Sequence, residues 1–420
     1  MKKTLWMGGS LLGLTLLGAS ALQSPAQAAA ANCPAFTWQS LWYGLEWSIL
    51  AFAPSTQNQA GVQGIPPADE LATGTRDRST EKRILLFGDL LPMQKDTPPR
   101  ASPEVRALFA SADLILGNIE SPVYQIKTWY TQHGLDLNAD QTGDFHASTG
   151  FVRSFMDQYC MNPAKAVFTV ANNHAGDRDQ AGWDETVRAT AAMGVRGIVG
   201  TRTSSDGSGR ASMGSFDLGA GLKVGVVGWT QEENCPLDNA WARYADIDAA
   251  GANAVNWNTL KQQNGIDLLI GIPHWGPQFH FYPEAAIYDE AESLTARGFD
   301  LISGTGPSVL QPAELFPGGI TFFSQGSVNA NFSLNGTTFL IPVVEILVDP
   351  AGRVVEYNVH AFAQRKVSTS LPSLIVCPDG RWVTDQARAT DWEVVPLEQI
   401  SNTWGTRDAL QRDLDRVFPR

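Results

Sequence analysis

The stretch Val170-Ala171-Asn172-Asn173-His174-Ala175-Gly176-Asp177 decides how this chain reads. It continues a run of small and β-branched residues that begins at Ala166. Such a run, ended abruptly by polar residues, predicts a buried strand. The strand delivers two amides and an imidazole at its carboxyl end, which is where ligands bind in open α/β sheets. An amide oxygen can ligate a metal and an imidazole can act as acid or base, so the site chemistry is expected to start here.

Working outward, similar apolar runs predict strands at 83–87, 113–117, 196–199, 223–229, 267–272, 300–303 and 319–323, with a hairpin at 338–347 and 353–362. Helical spacing falls between them at 101–110, 148–159, 181–193 and 286–297. Alternation of β and α predicts a parallel sheet covered by helices. The late strands without helices predict a second, partly antiparallel sheet. The expected class is therefore α/β, a layered sandwich rather than a barrel.

The ends of those strands share a pattern. They carry Gly88-Asp89, Asn118-Ile119-Glu120, Asn172-Asn173-His174, Pro273-His274-Trp275-Gly276 and Gly304-Thr305-Gly306-Pro307-Ser308. Each cluster has a bland explanation on its own: an Asx-turn at Asp89, a solvated loop at Glu120, a helix cap at His174, core packing at His274. Together they point to one pocket, because parallel strands place their carboxyl ends along one sheet edge. Oxygen and nitrogen donors of this mix suit a divalent ion such as Mn, Fe or Zn.

Residues 1–28 read as a secretory signal peptide: Lys2 and Lys3, an apolar stretch from Leu5 to about Leu22, and a small-x-small site at Ala26-Gln27-Ala28. The alternative is an uncleaved anchor. Residues 33–81 comprise an aromatic segment (33–54), equally compatible with core packing, a membrane-surface contact and a partner groove, and a polar linker (55–81). Residues 82–364 form the main domain, and 365–420 a C-terminal extension with a charged helical end at 407–417. The expected location is exported, periplasmic or associated with the cell envelope.

The formal charge is −13, with 43 acidic and 30 basic side chains, and no basic run exists. This argues against nucleic acid as a partner. It also means that a polyanionic ligand needs a local positive site, such as a metal. Four cysteines (33, 160, 235 and 377) permit two disulfides in three pairings. No CxxC spacing suggests a zinc ribbon, and Cys160, which follows a helical stretch, reads as a buried free thiol.

The order GD, NxE, ANNHxxD, HWG and GxxPxVxQPxE, spread over residues 83–362, resembles the capsule-synthesis CapA family of poly-γ-glutamate biosynthesis. The stretches 171–186 and 300–314 carry the resemblance as a pair. It implies an αββα sandwich similar to calcineurin-like metallophosphoesterases. It also implies metal ligation by Asp89, Glu120, Asn173 and His274, with His174 as the catalytic imidazole. The implied partners are an extracellular polymer or its synthesis machinery.

The departures from the family pattern are as informative. Its GHHPHV, with two ligating histidines, reads Gly304-Thr305-Gly306-Pro307-Ser308-Val309 here. Its HWGxEY reads His274-Trp275-Gly276-Pro277-Gln278-Phe279, and the asparagine of YSLGNF is Ser327. His280 is a candidate replacement ligand, or a member of an aromatic loop cluster. Two expectations follow: a polymer synthesis or export protein with a partly degenerate site, or an active mononuclear metal-dependent phosphoesterase.

Overall fold

The computed structural model describes residues 54–72, 76–92, 98–124, 147–177, 179–201, 213–231, 256–328, 340–366, 374–384, 392–402 and 406–419. The expected signal peptide and nearly all of the aromatic segment lie outside these residues, as do Cys33 and Cys235. Among the described residues no helix is long and apolar enough to cross a membrane.

Strands β1 (Lys82–Leu90), β2 (Leu114–Ile119), β3 (Ala166–Thr169) and β4 (Gly197–Val199) pair in parallel in that order. Helices α1 (Pro103–Ser111), α2 (Thr149–Gln158) and α3 (Asp179–Ala191) connect them. Ser102 and Ser148 start the first two: their hydroxyls accept from Val105 N and Phe151 N, at 3.4 and 2.8 Å, so donors at each helix start are satisfied.

A second sheet follows. It contains β5 (Gly214–Asp217), β6 (Lys223–Thr230), β7 (Leu268–His274), β8 (Leu301–Ser303), β9 (Ala313–Phe316) and β10 (Gly319–Phe322), in the order β9-β10-β8-β7-β6-β5. Its inner pairs are parallel and its two edge strands antiparallel. Helices α4 (Trp257–Asn264) and α5 (Ala285–Ala296) are its crossovers. α4 is absent from the sequence expectations because Trp257 is its one buried side chain, which leaves no apolar stripe to detect.

The chain then returns to the first sheet. β11 (Ser327–Val328) adds beside the end of β1, and β12 (Leu340–Val348) pairs antiparallel with β1 and with β13 (Val354–Lys366). The expected placement of this hairpin in the second sheet is thus corrected. The reason lies in β12, which is buried at every position. A strand apolar on both faces needs cover on both, and the first sheet provides it: Val344 and Ile346 face the central core, Ile341 and Val343 the helix side.

Side-chain alternation builds the layers. On β1, Ile84 and Leu86 join Val224, Val226, Leu268 and Ile270 of the other sheet in a central core. Leu85 and Phe87 face the other way and pack on Val105, Phe109, Phe151 and Phe155 of α1 and α2. Trp229 and Leu269 turn outward onto Trp257, Ile287 and Leu294 of α4 and α5. The result is the αββα sandwich expected.

The flanks are bound to this body. In the segment read as a linker, Ile65 N donates to Ala313 O at 3.1 Å, and Ala68–Glu70 pairs antiparallel with β13. In the C-terminal extension, β14 (Leu374–Val376) and β15 (Trp382–Thr384) form a hairpin, and β16 (Trp392–Pro396) pairs with β13. Helix α6 (Thr406–Val417) sends Leu410, Leu414 and Val417 into the central core. Cys160 is not the free thiol expected. It is disulfide-bonded to Cys377 and joins the end of α2 to the hairpin.

Glu345 on β12 lies between His360, with Nε2 at 2.8 Å, and Arg83, with Nε at 2.5 Å. Burial pushes its carboxyl up, but the His360 hydrogen bond and the charges of Arg83 and His360 outweigh it and hold Glu345 below the ordinary range. A lowered folded-state pKa contributes stability above the unfolded pKa, which is lost as pH falls through the folded value. Glu345→Gln is therefore expected to cost about 2 kcal/mol at neutral pH. Urea unfolding at two pH values checks this, because the gap to wild type should close below about pH 4. An equal gap at pH 3 and pH 7 contradicts the assigned charge.

Candidate metal centre

The carboxyl ends of β1, β2, β3, β7 and β8 meet at one edge of the sandwich, so both sheets contribute to the site. Asp89 ends near the close of β1, Glu120 follows β2 directly, and His274 is the last residue of β7. All three are buried, and one donor atom from each lies within 4.8 Å of the others. His274 Nδ1 is 3.4 Å from Asp89 Oδ1, and His274 Nε2 is 3.8 Å from Glu120 Oε1.

Asp89 is held from two sides. Asn118 Nδ2 donates to its Oδ1 at 2.6 Å, and the Gly306 backbone N–H donates to its Oδ2 at 2.9 Å. Asn118 is itself fixed by Asn172, whose Nδ2 donates to Asn118 Oδ1 at 3.2 Å and to Ile119 O at 2.8 Å. Thus the first amide of Asn172-Asn173-His174 is a brace between strands. The second, Asn173, is buried, and its Oδ1 has no hydrogen-bond partner among the described residues.

His174 is buried beside Glu120, with Nε2 at 4.0 Å from Glu120 Oε1. Its Nδ1 lies 2.6 Å from Asp177 Oδ2, three residues along the same loop. A carboxylate at that distance fixes the ring orientation and keeps the proton on Nδ1. Burial raises the Glu120 carboxyl well above its ordinary range, and the charges of Asp89 and Asp177 raise it further.

The residues fit a divalent cation. Among the described residues, neither Glu120 Oε2 nor Asn173 Oδ1 has a hydrogen-bond partner, and both are buried; leaving such groups unmatched is costly. Two carboxylates and an imidazole form a donor set suited to Mn, Fe or Zn. Neither glycine nor serine at the altered positions adds to it. Gly306 contributes its N–H to Asp89, and Ser308 is buried with φ +59°. His280 lies outside the cluster, in an isolated bridge with Ser55.

The sequence expectations did not include Asn118, Asp177 or Thr305 among the site residues. Asn118 was detectable, because it stands two residues before Glu120 and so shares its face of the strand. Thr305, whose Oγ1 is 3.1 Å from His274 Nδ1, gave no such signal. Its neighbour is brought in from another strand.

The chain is similar to several known proteins. The family model described as bacterial capsule synthesis protein PGA_cap matches residues 83–331, which include every residue of the cluster. The PGA biosynthesis protein CapA of Bacillus subtilis (strain 168) is 26% identical over 224 residues, 53% of this chain and 54% of the relative. The chain thus aligns with about half the length of that curated relative. Among solved structures, a 5'-nucleotidase precursor from Thermus thermophilus has TM-score 0.38 at 16% identity, covering 67% of this chain and 54% of that one. The NAD nucleotidase of Haemophilus influenzae has TM-score 0.39 at 14% identity, covering 80% and 55%. At these scores the architecture rests on the chain's own two sheets. With the family model spanning more than half of its residues, the chain belongs to the bacterial capsule synthesis protein family PGA_cap.

Proposed function

We propose that this protein acts outside the cytoplasm in the synthesis or export of an extracellular polymer of the poly-γ-glutamate type, and that it does so with one divalent ion. The observation that carries the metal part is the buried group Asp89, Glu120 and His274, in which Glu120 Oε2 has no hydrogen-bond partner among the described residues. The family match supports the polymer part. The leader-like residues 1–28 support export, and so does a disulfide between Cys160 and Cys377, since such bonds persist in oxidising compartments. Polymer and synthesis machinery are the proposed partners, and the aromatic segment 33–54 is the proposed membrane-side contact.

Asp89, Glu120, His274 and Asn173 would hold the ion. When bound, it would supply Lewis-acid polarisation of a phosphoryl or acyl oxygen. One ion rather than two follows from Gly306 and Ser308, which stand where the family has imidazoles and add no strong donor. The site is in this sense partly degenerate.

A second reading, an active mononuclear phosphoesterase, is favoured by the His174–Asp177 pair. Asp177 holds the Nδ1 proton, so Nε2 is the nitrogen that can carry a proton to a leaving-group oxygen.

Burial and the charges of Asp89 and Asp177 raise the Glu120 carboxyl, whereas a bound ion would favour its charged form. Titrating metal-free protein with Mn²⁺ in buffers of different ionisation enthalpy is therefore expected to show one equivalent bound and roughly one proton released. Two equivalents would overturn the one-ion site, and none would overturn the metal site. Phosphodiester hydrolysis by the loaded protein, lost in His174→Ala, would favour the enzyme. A loaded but inert wild type would leave the polymer role.

A further inference from the structure

Two imidazoles face Glu120 Oε1, and they are oriented by different means. His174 has a carboxylate, Asp177, on Nδ1. Among the described residues, His274 has no carboxylate that close to Nδ1. Its nearest carboxylate oxygen, Asp89 Oδ1, is 3.4 Å from Nδ1 and already accepts from Asn118 at 2.6 Å. Closer to Nδ1 is Thr305 Oγ1, at 3.1 Å.

The proton on that hydroxyl has an acceptor other than the ring. Thr305 Oγ1 is 3.2 Å from Pro273 O, and a carbonyl can only accept. A hydroxyl hydrogen directed there leaves an oxygen lone pair toward His274. The threonine itself is fixed by backbone bonds on both sides: Thr305 N donates to Pro273 O at 2.8 Å, and Trp275 N donates to Thr305 O at 2.9 Å. Besides the Thr305 hydroxyl itself, Asn118 is a competing donor. Asn118 Nδ2 is 3.4 Å from the same ring nitrogen, and it would donate there if Nδ1 lacked its proton.

We infer that Thr305 is a positioning residue that holds His274 in the Nδ1–H tautomer, so that Nε2 presents its lone pair toward Glu120. Metal-ligating imidazoles depend on such a partner at the other nitrogen, and its loss costs roughly 10–100-fold in metal affinity. Where other metal sites use a carboxylate or a carbonyl, this chain uses a hydroxyl whose own proton is tied to Pro273. The metal consequence rests on the one-ion reading above; the tautomer does not.

The test uses full-length protein with ¹⁵N-labelled histidine, free of metal, and long-range ¹H–¹⁵N correlation of the ring nitrogens. Wild type is expected to show His274 protonated at Nδ1 and bare at Nε2. Thr305→Val, of the same shape, is expected to shift His274 toward the Nε2–H form and to bind Zn²⁺ about 10-fold more weakly or worse in calorimetry. Thr305→Ser is expected to restore both readouts. The inference is overturned by an Nε2–H tautomer in wild type, a result that needs no variant to fold. It is equally overturned by a Thr305→Val protein that keeps the pure Nδ1–H form. Wild type that shows the Nδ1–H tautomer yet binds no Zn²⁺ would sustain the role of Thr305 and bring down the one-ion reading instead.

Discussion

Replacing Gly88 by alanine is expected to destabilise the protein by about 3–5 kcal/mol and to displace Asp89 with it. A Cβ at this position would lie 1.8 Å from Gly326 O and 2.7 Å from Gln325 O. Both are backbone atoms, so no side-chain rotation relieves the clash. The segment they belong to runs beside the end of β1, where Asp89 N donates to Gly326 O at 3.0 Å. Pushing it away removes that bond and the pairing of Ser327 with Asp89. Urea unfolding measures the loss as a lower midpoint at unchanged slope. A midpoint equal to wild type would mean that β11 does not cross here.

Returning the family's imidazole by Gly306→His is the second large effect, and its expected direction is loss rather than gain. A Cβ would stand 2.6 Å from Trp275 O and 3.0 Å from Trp275 N, at a residue whose φ is +114°. Side chains rarely adopt that conformation, at a cost of about 1–3 kcal/mol before the contact with Trp275 is counted. Backbone relief would also pull the Gly306 N–H away from Asp89 Oδ2. The variant is expected to unfold at lower urea and to bind no second Mn²⁺. A folded variant that takes up two equivalents would show that the missing imidazole alone sets the stoichiometry.

These two glycines show what a sequence reading reaches. Gly88-Asp89 reads as a turn signal, and its Asx-turn explanation has no counterpart in the structure. The glycine is there because another segment passes against it. Gly306 reads as a deleted ligand, whereas in the fold its N–H is a donor to Asp89 and its Cα leaves no room beside Trp275. Similarly, Cys160 reads as a free thiol because its partner lies 217 residues away. Local pattern cannot report a neighbour of that kind.

The elements were more accessible. Runs such as 83–87 and 223–229 are apolar because both faces of their strands are covered, and their polar ends mark where the sheet stops. Asp89, Glu120 and His274 were legible for that reason, since a strand's carboxyl end is a local feature. The hairpin of β12 and β13 was legible as a hairpin but not as a member of the first sheet. Its apolar pattern specifies two covered faces and leaves open which strand it pairs with.

Sequence by itself therefore determined the α/β class, the strands and most of the helices, and which chain segments bring donors to the site edge. Periodicity and abrupt polar ends are properties of neighbouring residues, so they survive without coordinates. Tertiary structure alone decided that Asp89 is clamped by Asn118 and Gly306, that Asn172 braces while Asn173 Oδ1 has no partner among the described residues, and that Thr305 lies against His274 Nδ1. The Gly306–Asp89 bond joins the two sheets and is set by the packing of the central core; the others join neighbouring strands of one sheet, whose pairing and register only the fold fixes.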